Sequence, residues 1–348
     1  MPKPALNPAQ PLALYMEAST QHPSGKMGFG LLRYSPNPIA CVIDSAAAGR
    51  DAREVTGIPR SAPIVATLAE VRALGAEVLV LGIAPPGGRM PDAWWAVIDE
   101  AVRLGLSIVN GLHDRLAPRH PSLRAGQWIW DMRVEPEGLT VATGAAARLP
   151  NRRVVFVGSD MAIGKMSAAL EVQHAARARG IDAAFVATGQ IGIAIAGRGV
   201  ALDAVRLDFA CGAIEREVMA HSGAELVLVE GQGSLVHPAS TATLPLLRGA
   251  MPTHLVLCHR AGQKTLARIP EIAIPPLVAL AGLYEDLAAS CGTFPRPRTA
   301  AIALNTFHVA DDAQAERAVR TLQDETGLPC CDPVRQGAGR LLEALSRA

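Results

Sequence analysis

Apolar and polar positions along this chain fall into two successive series of short strand-like runs and longer helix-like stretches. In the first series, residues 39–44 (IACVID) form an apolar run that ends in an acid, and residues 62–66 (APIVA) form a second. TLAEVRALG then carries apolar positions at helical spacing and stops on Gly75, the residue type that ends helices in a left-handed conformation. AEVLVLGIAPPGGRM is a buried strand running into a Gly/Pro loop. PDAWWAVIDEAVRLG opens on Pro91, carries Asp92 and Asp99–Glu100 and closes at Gly105, so it predicts a helix, and LSIVNGLH predicts the next strand. Strands alternating with helices at this spacing signal parallel βαβ units. The first 145 residues or so therefore predict a Rossmann-like domain. Its first strand has no G-x-G-x-x-G after it, so a dinucleotide role is not supported.

Residues 133–153 interrupt the pattern with Pro136, Gly138, Gly144, Pro150 and the pair Arg152–Arg153. A domain boundary is placed here, giving domains 1–145 and 151–348. The second series begins at once: RVVFVGSDMAIGKMSAALEVQHAARARG reads as strand, loop and helix. IDAAFVATGQ, AELVLVEGQGS, THLVLCHRAGQ and TAAIALNTFHV each read as a strand followed by a loop. The tail from Asp311 predicts a helix, the short strand-like LPCCDPV, and a last helix in GRLLEALSRA. The expected fold class is α/β: a Rossmann-like N-terminal domain followed by a P-loop NTPase-like domain, both with mainly parallel sheets.

Composition agrees and narrows the partners. Hydrophobic residues make up 49% of the 348 and aromatics only 4%, so the cores are built from Ala, Val, Leu and Ile. A parallel sheet covered on both faces needs strands of that kind. The net charge is +1 with no basic stripe, which argues against nucleic acid. No apolar run approaches ~18 residues without a turn or charge, so no membrane span is expected. The start, MPKPALNPAQPLALYMEAST, lacks the long apolar stretch of a signal peptide. The six cysteines, at 41, 211, 258, 291, 330 and 331, form no Cys-x-x-Cys pair. The expectation is a cytoplasmic protein with reduced thiols, no structural metal and a small-molecule substrate, assembled as a homo-oligomer.

The strongest chemical signal is Gly158-Ser159-Asp160-Met161-Ala162-Ile163-Gly164-Lys165-Met166-Ser167, between an apolar strand and a helical pattern. That is the context of a phosphate-binding loop. The glycines let the backbone approach phosphates, the helix N-terminus favours the anion, and Lys165 adds a point charge. Five residues rather than four separate Gly158 from Gly164. Met166 stands where a hydroxyl would hold Mg²⁺, and the hydroxyl comes one place later at Ser167.

A second signal is the apolar strand VLVEG, which ends in Glu230 beside Gly231. Glu230 could hold a metal, act as a base near phosphates, or anchor a loop. Thr188-Gly189-Gln190 leads into a stretch read as a flexible Gly-rich loop, IGIAIAGRG, where Arg198 could clamp a carboxylate or simply be solvated. His237 and His259 follow strand-end segments and suit proton transfer, although a lone histidine is more often structural. His113 in NGLHD is a weaker case. Asn305 could read a base edge or terminate its strand.

These motifs carry a resemblance. The long loop GSDMAIGKMS and the VLVEG strand resemble dethiobiotin synthetase and its relatives. More closely, VIDSAAAGRDA, LGIAPPGGRMP and IVNGLHD in the first half, and GSDMAIGKM, ATGQIGIAIAGRGVALDAV, VEGQGSLVHP and LVLCHR in the second, resemble the bacterial family DUF1611. Members of that family include D-glutamate N-acetyltransferases, which work in D-glutamate catabolism. The resemblance thus implies acetyl transfer from acetyl-CoA to an amine. Such chemistry needs a base, an oxyanion donor and a cation for the acceptor's carboxylates. Asp160, Glu230 and His237 are the base candidates. Backbone N–H groups near Gly189–Gln190 or Gly231–Ser234 could serve the oxyanion. Arg198 and Arg260 are the carboxylate candidates. The dethiobiotin synthetase comparison implies the alternative, an ATP- and Mg-dependent ligase or kinase. A non-enzymatic nucleotide sensor is a third class.

Overall fold

A computed structural model describes residues 6–346. Contacts divide the chain into two compact units: the chain up to Glu135 together with Gly189–Ala204, and Pro136–Thr188 together with Val205 onward.

In the first unit, strands β1 (Leu12–Tyr15), β2 (Ile39–Ile43), β3 (Ile64–Val65), β4 (Val78–Leu81), β5 (Ser107–Asn110) and β6 (Ile129–Asp131) form one parallel sheet in the order β3-β2-β1-β4-β5-β6. This is the doubly wound Rossmann order. Helices α1 (Lys26–Tyr34), α2 (Ala52–Thr56), α3 (Leu68–Ala73) and α4 (Trp94–Arg103) connect the strands. Thr67 and Glu70 form a reciprocal capping box at the start of α3, which fixes that helix where the TLAE spacing predicts it. The core joins Ala13, Cys41, Leu79, Ile98 and Ile108, and Tyr15 meets Trp94 edge-on at 5.2 Å.

The sequence pattern begins this sheet at residue 39, and the structure corrects that. The central strand is β1, and all four of its residues are buried. Its apolar run is only LALYM, set behind Pro11, and α1 carries Gly28 and Gly30, which weaken a helical signal.

The second unit holds β7 (Arg152–Gly158), β8 (Ala183–Val186), β9 (Leu226–Val229), β10 (His254–Arg260), the two-stranded antiparallel ribbon β11 (Thr265–Leu266) and β12 (Ile269–Ala273), then β13 (Arg298–Asn305) and β14 (Cys330–Cys331). Apart from the ribbon, the strands form a parallel sheet in the order β14-β13-β10-β7-β9-β8. Every residue of β8 and β9 is buried, as strands covered on both faces must be. Helix α5 (Lys165–Ala178) follows β7. Helix α6 (Gln190–Ala196) lies in the segment that belongs to the first unit and packs on α1. Helices α7 (Leu207–Met219), α8 (Thr243–Ala250), α9 (Leu277–Ala289), α10 (Asp312–Thr326) and α11 (Gly339–Ser346) complete the second unit. Because the main sheet is parallel, the loops after β7, β9, β10 and β13 leave from one edge, where open α/β sheets bind ligands. No helix of the described residues is long and apolar enough to cross a membrane.

Candidate active site

Strand β7 ends at Gly158, and α5 starts at Lys165. Gly164 caps the helix with φ +104°, a backbone conformation that side-chain-bearing residues rarely adopt. Three carbonyls of the intervening loop are tied back by side chains. The Lys165 ammonium donates to Asp160 O at 2.8 Å, Arg260 to Ala162 O at 3.1 Å and Asn305 Nδ2 to Ile163 O at 3.1 Å. Arg260 and Asn305 are register partners at the ends of β10 and β13, so the sheet edge itself shapes the loop. The first N–H groups of α5 have no intrahelical partner by construction, which makes this end receptive to an anion. Lys165 is buried. Burial lowers its pKa from 10.5 to about 8, against the opposing pull of Cys258, Asp160 and Glu230.

The Asp160 carboxylate is already engaged. Met161 N–H donates to it at 2.6 Å, Gln263 Nε2 at 2.6 Å and Ala267 N–H at 2.9 Å. Burial pushes this carboxyl up, but these hydrogen bonds outweigh it and hold the pKa below the ordinary value. A carboxylate so satisfied is a weak base and a firm anchor for the loop.

Glu230, just past β9, is buried, and its Oε2 accepts the Thr188 N–H at 2.9 Å. The Thr188 hydroxyl donates to Glu230 O at 2.8 Å. Gly231 follows at a very close approach: a Cβ there would lie 1.6 Å from Phe156 O and 2.8 Å from Lys165 Cδ. Only glycine lets the chain after Glu230 pass this near β7 and the lysine stem. Thr188, Glu230, Asp160 and Lys165 therefore lie together at the sheet edge.

His237 is buried on the loop after Gly231, and its Nδ1 accepts the Ala239 N–H at 3.1 Å. In the neutral ring this leaves the proton on Nε2, so the outer nitrogen is a donor. His259 Nδ1 pairs with the fully buried Ser159 hydroxyl at 2.7 Å. Burial, and then the charge of Arg260, push the His259 pKa down to about 4. His259 is therefore neutral near pH 7 and positions the loop serine without adding charge. Ala162 is exposed, while Met166 and Ser167 are half-buried at the start of α5.

Tyr284 leaves no mark in the sequence pattern. Fully buried on α9, its hydroxyl donates to Gly158 O at 2.7 Å and accepts the Leu235 N–H at 3.1 Å. It clamps the start of the phosphate loop to the segment bearing His237. In the sequence it is one more apolar-face residue of LVALAGLYEDLAA, and only its hydroxyl hints at a buried polar partner. Gln263 likewise carries no signal.

The remaining candidates belong to the first unit. IGIAIA is not a flexible loop but helix α6, whose Ile193, Ala194 and Ile195 are buried. Its glycines favour a loop, but the apolar face is what decides. Gly189 caps α6, Gln190 opens it, and Arg198 lies exposed just beyond it. His113 sits against the Arg133 guanidinium, which also pairs with Asp203 at 3.1 Å.

Comparison with known proteins is consistent with this architecture. Residues 140–342 match the family model described as DUF1611_C, a P-loop domain of unknown function. Residues 45–135 match DUF1611_N, a Rossmann-like domain of unknown function. A D-glutamate N-acetyltransferase of Tritonibacter scottomollicae is 36% identical over 286 residues, covering 80% of this chain and 84% of the relative. A protein of the same name from a Pseudoalteromonas species is 34% identical over 284 residues, with 80% and 84% covered. The crystal structure of a DUF1611 family protein from Anabaena variabilis ATCC 29413 is similar with a TM-score of 0.93 at 50% identity, covering 97% of this chain and 99% of that one.

Proposed function

The chain belongs to the DUF1611 family, and on that premise we propose that it is an N-acetyltransferase moving the acetyl group of acetyl-CoA to the amine of D-glutamate. The names of the two curated relatives support the acceptor and the reaction class. One observation within the chain carries the reading. Gly231 lays the segment after the buried Glu230 against the stem of Lys165, which supports reading the two as a base beside a phosphate-holding cation.

The loop suits the pyrophosphate of acetyl-CoA. It offers a buried ammonium, a helix N-terminus and carbonyls turned away by Lys165, Arg260 and Asn305. Met166 in place of a hydroxyl fits phosphate holding better than Mg-dependent phosphoryl transfer.

The acceptor arrives as an ammonium and cannot attack until it loses a proton. Glu230 takes that proton. The nitrogen lone pair then forms a bond to the thioester carbon, and the carbonyl π pair moves onto oxygen. His237, as an Nε2–H donor, stabilises that oxyanion. The nitrogen sheds its second proton to solvent, the carbonyl re-forms and the C–S bond breaks. The departing thiolate takes up the proton held by Glu230. The products are N-acetyl-D-glutamate and free coenzyme A, with one net proton released. Arg260, half-exposed beside the loop, is the proposed partner for an acceptor carboxylate.

Mass spectrometry of the protein incubated with acetyl-CoA and each glutamate enantiomer tests the reading. Addition of one acetyl group to D-glutamate is the expected result. Conversion of ATP to ADP with a small acid, and no acetylated amine, would replace it with an ATP-dependent ligase or kinase.

A further inference from the structure

Phe307 is the most exposed large hydrophobic residue described, with 87% of its surface open. Isolated exposed apolar residues are ordinary, but this ring stands on a turn pinned from several sides. The Thr306 N–H and hydroxyl both donate to the buried Asp332 carboxylate. Val309 N–H closes the turn on Thr306 O at 2.8 Å, and Arg335 donates to Val309 O at 2.6 Å. Phe307 N–H donates to Asn305 Oδ1 at 3.0 Å. The same Asn305 holds the phosphate loop through Ile163 O at 3.1 Å. One asparagine thus joins the ring's backbone to the phosphate loop, and the backbone beneath the ring is fixed before any ligand arrives.

We propose that Phe307 is a stacking platform for the adenine of the ligand whose phosphates the Gly158–Lys165 loop holds. This inference rests on the phosphate-loop reading and extends it from the phosphates to the base. A planar aromatic ring recognises any purine through its π-face, and a preorganised one does so with little ordering cost. Asn305 spends one amide N–H on Ile163 O and one oxygen lone pair on the Phe307 N–H, so its role on this turn is to fix the backbone beneath the ring.

The test compares the natural protein, Phe307→Ala and Phe307→Trp by calorimetry with inorganic pyrophosphate, ADP and acetyl-CoA. A base stacked on an aromatic ring loses about 5- to 150-fold in affinity when the ring is removed. Phe307→Ala is expected to lose that factor for both ADP and acetyl-CoA, to keep its affinity for pyrophosphate, and to be rescued by Phe307→Trp. Equal affinity of the natural protein for pyrophosphate and ADP would overturn the platform and leave the phosphate loop standing. So would unchanged ADP binding in Phe307→Ala accompanied by an altered oligomeric state, which would make the ring a contact between copies of this chain. Absence of pyrophosphate and ADP binding in the natural protein would overturn both readings. Binding of ADP but not acetyl-CoA, with loss in Phe307→Ala, would support the platform and contradict the proposed donor.

Discussion

Thr188 and Glu230 hold each other twice. The Thr188 N–H donates to the Glu230 carboxylate at 2.9 Å, and the Thr188 hydroxyl donates to the Glu230 carbonyl at 2.8 Å. The two residues follow neighbouring strands, β8 and β9, so the pair fixes both the backbone and the side chain of a buried acid at the sheet edge. The double contact fixes Glu230 before any ligand arrives, as its proposed role of base requires.

Lys165 is expected to act on phosphate affinity and little on folding. A hydrogen bond to a charged group contributes about 1.5–3 kcal/mol, or roughly 10- to 150-fold in binding. Lys165→Ala should weaken acetyl-CoA binding by that factor, read by calorimetry. Its melting temperature should change little, because removing a buried charge whose burial is itself costly offsets the lost hydrogen bond to Asp160 O.

The same lysine sets opposite pH trends for binding and stability. Its pKa of about 8 in the folded chain lies below its ordinary 10.5. The ammonium is present below about pH 8 and lost above it, so pyrophosphate affinity should fall as pH rises through that value. A bound anion stabilises the ammonium and shifts the fall somewhat higher. Stability runs the other way. Between about pH 8 and 10.5 the unfolded lysine binds more proton than the folded one, so its contribution to stability rises with pH. Titrations of affinity and of denaturation midpoint, each compared with Lys165→Ala, check both signs. A pH-independent difference between the two proteins in this window would count against the buried ammonium.

Tyr284→Phe should separate positioning from binding of groups. Losing the hydroxyl leaves Gly158 O and Leu235 N–H without this partner inside the second unit. An unsatisfied buried polar group costs about 1–3 kcal/mol, to be read from chemical denaturation. With the His237 segment loosened, kcat should fall more than the KM for acetyl-CoA rises. A change in KM alone would assign Tyr284 to the donor site instead.

Much of the fold and the centre of the site are legible in the sequence, for physical reasons that differ by residue. The phosphate loop can be read because strand, glycines, lysine and helix are contiguous. Glu230 can be read because an acid that ends a buried apolar strand is costly to keep there without a partner or a task. Tyr284, Gln263 and the strand Leu12–Tyr15 cannot be read. Tyr284 and Gln263 act through hydrogen bonds to residues far away in the chain, which leave no local pattern. The strand is four residues long and flanked by proline. Helix α6 is hidden because glycines at 189, 192 and 197 imitate a loop, while the buried isoleucines that hold it gain their meaning only from packing on α1.

The central claim is that Glu230 deprotonates the amine beside a loop that holds acetyl-CoA. The most direct measurement is the rate of free thiol release from acetyl-CoA with D-glutamate, in the natural protein and in Glu230→Gln, alongside the acetyl-CoA dissociation constant of each. Glutamine keeps an oxygen for the Thr188 N–H but cannot take a proton. General-base catalysis contributes about 10²- to 10⁴-fold, so thiol release should fall by that factor while acetyl-CoA affinity stays the same. Undiminished thiol release by Glu230→Gln, or no thiol release by the natural protein with any amino acid while ATP is converted to ADP, would contradict the account.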